Sequence, residues 1–155
     1  MSQVDLDAID RRLLRALQAN GRISNLELAQ AVHLSPAQAN RRHRRLEQLG
    51  LVTRYEARLN AEALGWSVRA FVHVTMAPAH AALLAEFRQR IADLDAVLEC
   101  HAVSGDFDYV LKVVAPDLKA LSDLIMATIM PLPGVQSVRS TVCLDELKCS
   151  AALPL

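Results

Sequence analysis

The run Arg41-Arg42-His43-Arg44-Arg45 places four guanidinium groups within five residues, and Gln38 and Asn40 stand just ahead of it. Guanidinium groups grip phosphates and bond guanine in pairs, while Gln and Asn amides do the same for adenine. The cluster has the chemistry of nucleic-acid recognition, unless it is simply a solvated basic surface. Its setting favours recognition. The first 60 residues hold ten arginines against six acids, a balance of +4. From residue 61 onward seven basic residues face eleven acidic ones, a balance of −4. The net charge of zero is therefore a cancellation between two segments, which points to two units with different partners.

Other reactive residue types form no recognisable pattern. Cys100, Cys143 and Cys149 have no C-x-x-C spacing, which argues against a disulfide framework or structural zinc. His73, His80 and His101 lack metal-ligand spacing, and Ser104 has no evident base partner, so neither a metal nor a catalytic nucleophile is expected. No cofactor is expected either. The 155 residues are 52% hydrophobic and 22% charged, which excludes a disordered chain. Nothing approaches the ~18 apolar residues of a membrane span, and MSQVDLDAID lacks a signal core. A cytoplasmic protein without a membrane partner is the expectation.

Three helices must position the arginines. Ile9, Leu13, Leu14 and Leu17 recur at helical spacing over 7–20, with Asn20-Gly21 as a stop. Ser24 and Glu27 form a capping box for a second helix, with Leu28, Ala29 and Val32 on one face. Ser35 and Gln38 form another box, with Pro36 at the first helical position, and that helix runs to about Leu49 before Gly50. Two short helices joined by a tight turn, the second rich in arginine, outline a helix-turn-helix.

On the third helix Ala39, His43 and Leu46 share an inward stripe, while Ala37, Arg41, Arg44 and Gln48 face away with Gln38, Asn40 and Arg45 beside them. Candidate DNA contacts are Ser35, Pro36, Ala37, Gln38, Asn40, Arg41, Arg44 and Arg45. Arg42 borders the inward stripe, where an ion pair with Asp10 competes with DNA. Residues 51–59 alternate as a strand, a wing whose Arg54 either touches phosphate or is simply exposed.

After a short turn of helix capped by Asn60 the period changes to two. Strands are expected at 68–76, 97–104, 107–115 and 135–144, and helices at 80–93 and 117–130. The order βαββαβ gives a ferredoxin-like antiparallel sheet with both helices on one face. The overall class is α+β: a winged helix-turn-helix at 1–60, a linker at 61–66, and a βαββαβ oligomerisation domain at 67–155. The helix-free face of the sheet predicts a homodimer.

The chain resembles the leucine-responsive regulator/AsnC family of transcription factors, also called feast/famine regulators. The resemblance rests on DRRLL at 10–14, NGRIS at 20–24, Leu34-Ser35-Pro36, Arg44-Arg45-Leu46-Glu47 with Gly50, and ECHAVSGDFDY at 99–109. LPGV at 132–135 and Leu153-Pro154-Leu155 add to it. It implies double-stranded DNA as a partner, and dimers built further into tetramers or octamers. It also implies a small-molecule effector, commonly an amino acid, bound around Ser104, Gly105, Asp106 and Asp108, with Met130 and Thr141 at family pocket positions. A Gly-Asp turn offers both N–H groups and carboxylate to a zwitterion, and Ala102, Met130 and Val142 could line an apolar slot. Haem-precursor decarboxylases resemble the same family, so an enzyme on this scaffold is the alternative. His43 departs from the usual Val or Ile and needs a hydrogen-bond partner if buried.

Overall fold

The computed structural model describes residues 4–78 and 81–155. The chain folds as two units, one of residues up to Arg58 together with Lys148–Leu155, the other Leu59–Leu147. The second unit was expected to extend to residue 155; instead its final eight residues pack with the first. A hydrophobic period cannot reveal this, because 148–155 forms neither helix nor strand.

The first unit contains α1 (Ala8–Ala19), α2 (Asn25–Val32) and α3 (Pro36–Gln48). Each starts on a side chain that satisfies otherwise orphaned backbone donors. Asp7 accepts from the N–H groups of Ile9 (2.9 Å) and Asp10 (2.7 Å), while Ser24–Glu27 and Ser35–Gln38 form reciprocal capping boxes. His33 adopts a left-handed conformation (φ 57°) that ends α2 and turns the chain into α3. The three helices bury Leu13, Leu14, Leu17, Leu28, Val32 and Leu46 against one another, and Leu155 packs on the edge of this cluster.

Residues 51–59 form no strand. The alternation is present in sequence, but a ladder needs a partner for its N–H and C=O groups. Among the described residues none pairs with it, and the segment is mostly exposed. Asn60 does cap the following turn, Glu62–Leu64, through Ala63 N–H at 3.0 Å.

The second unit is a four-stranded antiparallel sheet ordered β2-β3-β1-β4, with β1 at Val68–Met76, β2 at Val97–Ala102, β3 at Tyr109–Ala115 and β4 at Val135–Val142. Ala70, Val72 and Val74 lie opposite Val113, Leu111 and Tyr109 and face the core. Helix α4 (Ala81–Ala92) contributes Phe87 and Ile91 to that core. His80, expected at the start of this helix, lies outside the described residues. Helix α5 (Leu118–Asp123), capped by Asp117, contributes Leu121. The expected helix to 130 does not keep one geometry: Leu124–Ile129 widens into a π turn, with Met130 N–H donating to Ile125 O at 2.8 Å. The wider turn carries Ile129 into the core.

The other face of the sheet displays Phe71, His73 and Lys112 with Arg139 and Thr141. Phe71 is 40% exposed, large for an aromatic residue in a central strand. Phe107 stacks on His73 with ring centroids 4.7 Å apart, and the Arg139 guanidinium lies 5.9 Å from the Phe107 ring.

Candidate nucleic-acid and effector sites

Helix α3 is fixed to α1 by ion pairs that leave part of its arginine set outward. Asp10 is 1% exposed, and its carboxylate accepts from Arg42 at 2.8 Å and Arg45 at 3.0 Å. Arg42 also donates to Asp7 at 2.7 Å. The Asp10 N–H, then Arg42, holds the Asp7 carboxyl below its ordinary range, and Asp7 and Asp10 hold the Arg42 proton more tightly than usual. Arg42 thus clamps the helix, as its position on the stripe suggested. Arg45, expected to meet DNA, has a side chain that is half exposed and shares the same anchor. Arg41 and Arg44 are exposed and make no ion pair among the described residues.

The remaining expected contacts are distributed unequally. Pro36 and Ala37 are exposed and Asn40 is half-buried. Ser35 and Gln38 are already engaged: Gln38 Oε1 accepts from the Ser35 N–H at 3.2 Å and from its hydroxyl at 3.0 Å. Gln38 keeps its amide N–H donors for a base or phosphate. Arg54 pairs with Glu56 on the irregular segment after α3.

The partner His43 needs turns out to be Tyr55. Nε2 of His43 lies 2.6 Å from the Tyr55 hydroxyl, which donates to Glu47 at 3.0 Å. Gly21 lies against the same ring: a Cβ there would meet it at 3.2 Å and displace it by a few tenths of an ångström. Sequence reasoning missed Tyr55, which read as one member of an alternating strand. Burial, then Glu47, pushes the Tyr55 phenol from its ordinary 10 up to about 12. Between those two pH values the unfolded chain gives up a proton that the folded unit retains, so stability is lost as pH rises from about 10 to about 12. Below that window the phenol is neutral in both states. Tyr55→Phe should flatten this alkaline decline in chemical denaturation, and an unchanged slope would show that the phenol does not cause it.

In the second unit the expected effector residues are not gathered in one place. Ser104, Gly105 and Asp106 lie exposed in the loop between β2 and β3, where Gly105 takes φ 136°. Asp108 is engaged with the protein itself. Its carboxylate accepts from Met76 N–H at 2.7 Å and its own N–H donates to Val74 O at 3.0 Å. An open cavity of about 590 Å³ adjoins this loop, lined by Met76, Leu84, Ala102, Val103, Asp108 and Gln136. Ala102 pairs with Tyr109 on the helix-covered face, whereas Thr141 pairs with Phe71 on the open face. Neither Thr141 nor Met130 lines the cavity, nor does Val142. One chain therefore brings Ala102 and Asp108 together and leaves Met130 and Thr141 elsewhere.

Among the described residues no three His, Cys, Asp or Glu side chains cluster to hold a metal ion, and no helix is long and apolar enough to cross a membrane. Cys100, Cys143 and Cys149 are free thiols, and burial pushes the Cys100 thiol up.

A helix-turn-helix reading unit joined to a ferredoxin-like unit defines the class of ligand-binding transcriptional regulators. Comparison with known proteins specifies the family. Residues 6–53 match the winged helix-turn-helix DNA-binding family, and residues 69–153 match the Lrp/AsnC ligand binding domain. The chain belongs to the Lrp/AsnC family. It is 43% identical to the leucine-responsive regulatory protein of Escherichia coli K12 over 149 residues, covering 96% of this chain and 91% of that protein. The crystal structure of a transcriptional regulator from Neisseria meningitidis in complex with L-methionine superposes with a TM-score of 0.94 at 35% identity, covering 97% of each chain. An AsnC family transcriptional regulator from Agrobacterium tumefaciens gives a TM-score of 0.91 at 30% identity, covering 96% of this chain and 97% of that one.

Proposed function

We propose that this chain is a cytoplasmic regulator that binds double-stranded DNA through α3 and whose assembly or DNA affinity responds to an amino acid. The observation that carries the reading is the division of labour among the arginines. Arg42 and Arg45 hold the helix through Asp10, which leaves Arg41 and Arg44 exposed without an ion pair among the described residues. A merely solvated basic face has no need of a buried carboxylate beneath it. Pro36, Ala37, Asn40 and the free donors of Gln38 supply the base-reading end, and Arg54 adds a phosphate contact when Glu56 releases it.

The effector reading rests on the family and on the cavity beside the β2–β3 loop. The loop residues Ser104, Gly105 and Asp106 with Asp108 and Ala102 form one part of the site. Thr141 and Met130 belong to it through a second copy, since one chain sets Thr141 on the sheet face opposite Ala102 and neither residue lines the cavity. Copies associate through the open sheet face, where Phe71 is exposed and His73 Nδ1 is buried without a hydrogen-bond partner among the described residues. Such dimers then build a tetramer or octamer. The chain acts by binding and not by catalysis.

The test is a thermal-shift screen of the twenty amino acids, followed by selection from a randomised duplex pool with and without each hit. A ligand at 100 times its Kd stabilises by about 2.7 kcal/mol, an easily measured shift. L-Methionine, present in the Neisseria relative's complex, is the first to try. No shift with any of the twenty would remove the sensing part, and failure to enrich any duplex at low salt would remove the whole reading.

A further inference from the structure

The segment from Cys143 to Leu155 leaves β4 with no regular structure, yet it is bonded to the protein at both of its ends. At its start Cys143 N–H donates to Arg69 O at 2.8 Å, and the Arg69 guanidinium pairs with Glu146 at 2.5 Å. Both contacts lie within the second unit. At its far end every anchor is in the first unit. Cys149 O accepts from Arg58 at 3.0 Å. Gln18 on α1 brackets Leu153, accepting from its N–H at 2.5 Å and donating to its O at 3.2 Å. Arg15, also on α1, donates to Leu155 O, and the Leu155 side chain meets the helical core.

The stretches of chain between the two sets of anchors are short. Between Glu146 and Cys149 the chain can span at most about 11 Å, at ~3.6 Å per residue. The other connection is shorter still. Arg58 is tied to Cys149, and Asn60 already caps the turn of the second unit, a reach of about 7 Å. The Arg58–Cys149 bond ties these two connections to each other. Tyr55, on the same strand of chain as Arg58, is bonded to His43 and Glu47 of α3. Displacement of β4 or its exit therefore has a continuous bonded route to α1 and, through Arg58 and Tyr55, to the reading helix.

We propose that the 143–155 segment is a transmission strap that carries changes in the sensing unit to the DNA-reading unit, with Glu146 and Gln18 as its positioning residues. Neither residue contacts DNA or effector in the reading above, so each can be altered without removing a binding group. The mechanical part of the proposal is independent of the proposed function; the regulatory part rests on it.

Two measurements on the full-length chain test it. Glu146→Gln loosens the strap at the sensing end, and hydrogen exchange is read at the other end, at the Leu153 amide held by Gln18. At least ~3-fold faster exchange there, with α1 and β1 amides unchanged, is the expected result; unaltered exchange overturns the strap. In the second measurement, Gln18→Ala and wild type are titrated on a selected duplex with and without saturating L-methionine or L-leucine. The variant should keep its affinity within ~3-fold and lose most of the ligand-induced change in affinity. A full ligand response in Gln18→Ala overturns transmission through the strap. If wild type itself gives no response, the sensing function fails and the exchange result alone decides the strap.

Discussion

Replacing Arg41 and Arg44 together by alanine is expected to flatten the salt dependence of DNA binding while leaving the protein as stable as before. Each guanidinium that meets a phosphate releases counterions worth about 0.9 in the slope of log K against log salt. The double variant should therefore lose about 1.8 per engaged subunit. Where either side chain reads a base, about 1–3 kcal/mol of discrimination goes with it. A combined loss of at least ~30-fold in affinity near physiological salt is expected. Thermal unfolding should not move, because neither side chain makes an intramolecular ion pair among the described residues. A slope and affinity equal to wild type would show that α3 is not the reading helix.

The complementary variant is Asp10→Ala, which should cost stability first and DNA binding as a consequence. Asp10 is buried at 1% exposure and holds both Arg42 and Arg45. Breaking a fully buried pair costs about 3–5 kcal/mol, because a charge is stranded. Here the arginine side chains are 28% and 50% exposed, and Arg42 retains Asp7. Both can relax into water, which lowers the expected cost to about 2–3 kcal/mol. In a unit of this size that is a fall of roughly 10–20 °C in Tm. The salt slope should not fall, since no DNA-facing charge is lost and Arg45 is released. An unchanged Tm would mean that the ion pairs are not what fixes α3 to α1. Read together, the two variants separate contact with DNA from placement of the contacting helix.

Much of the local structure was legible because its causes are local. A capping box is defined by residues three apart, so Ser24–Glu27 and Ser35–Gln38 announced the starts of α2 and α3. Alternation over 68–76 announced β1 as well, since its partners lie on both sides and the strand is central. The same alternation over 51–59 misled, because pairing is a property of two segments and only one was in view. The π turn at Leu124–Ile129 has no sequence signature beyond apolar residues, and it follows from carrying Ile129 into the core.

The sites divide along the same line. Helical spacing put Arg41 and Arg44 outside and Arg42 on the edge, and the resemblance carried by the 99–109 stretch named the family. The sequence also separated a basic segment from an acidic one, which the zero net charge conceals. What it left open was which arginines work within the fold. Arg45 could not be assigned to Asp10, 35 positions away, until both helices were packed. Nor could Tyr55 be matched to His43, or Gln18 to Leu153 across 135 positions. Periodicity and capping are short-range effects written in neighbouring residues. Ion pairs, ring contacts and backbone anchors between distant segments depend on where packing brings them, and only the tertiary structure decides that.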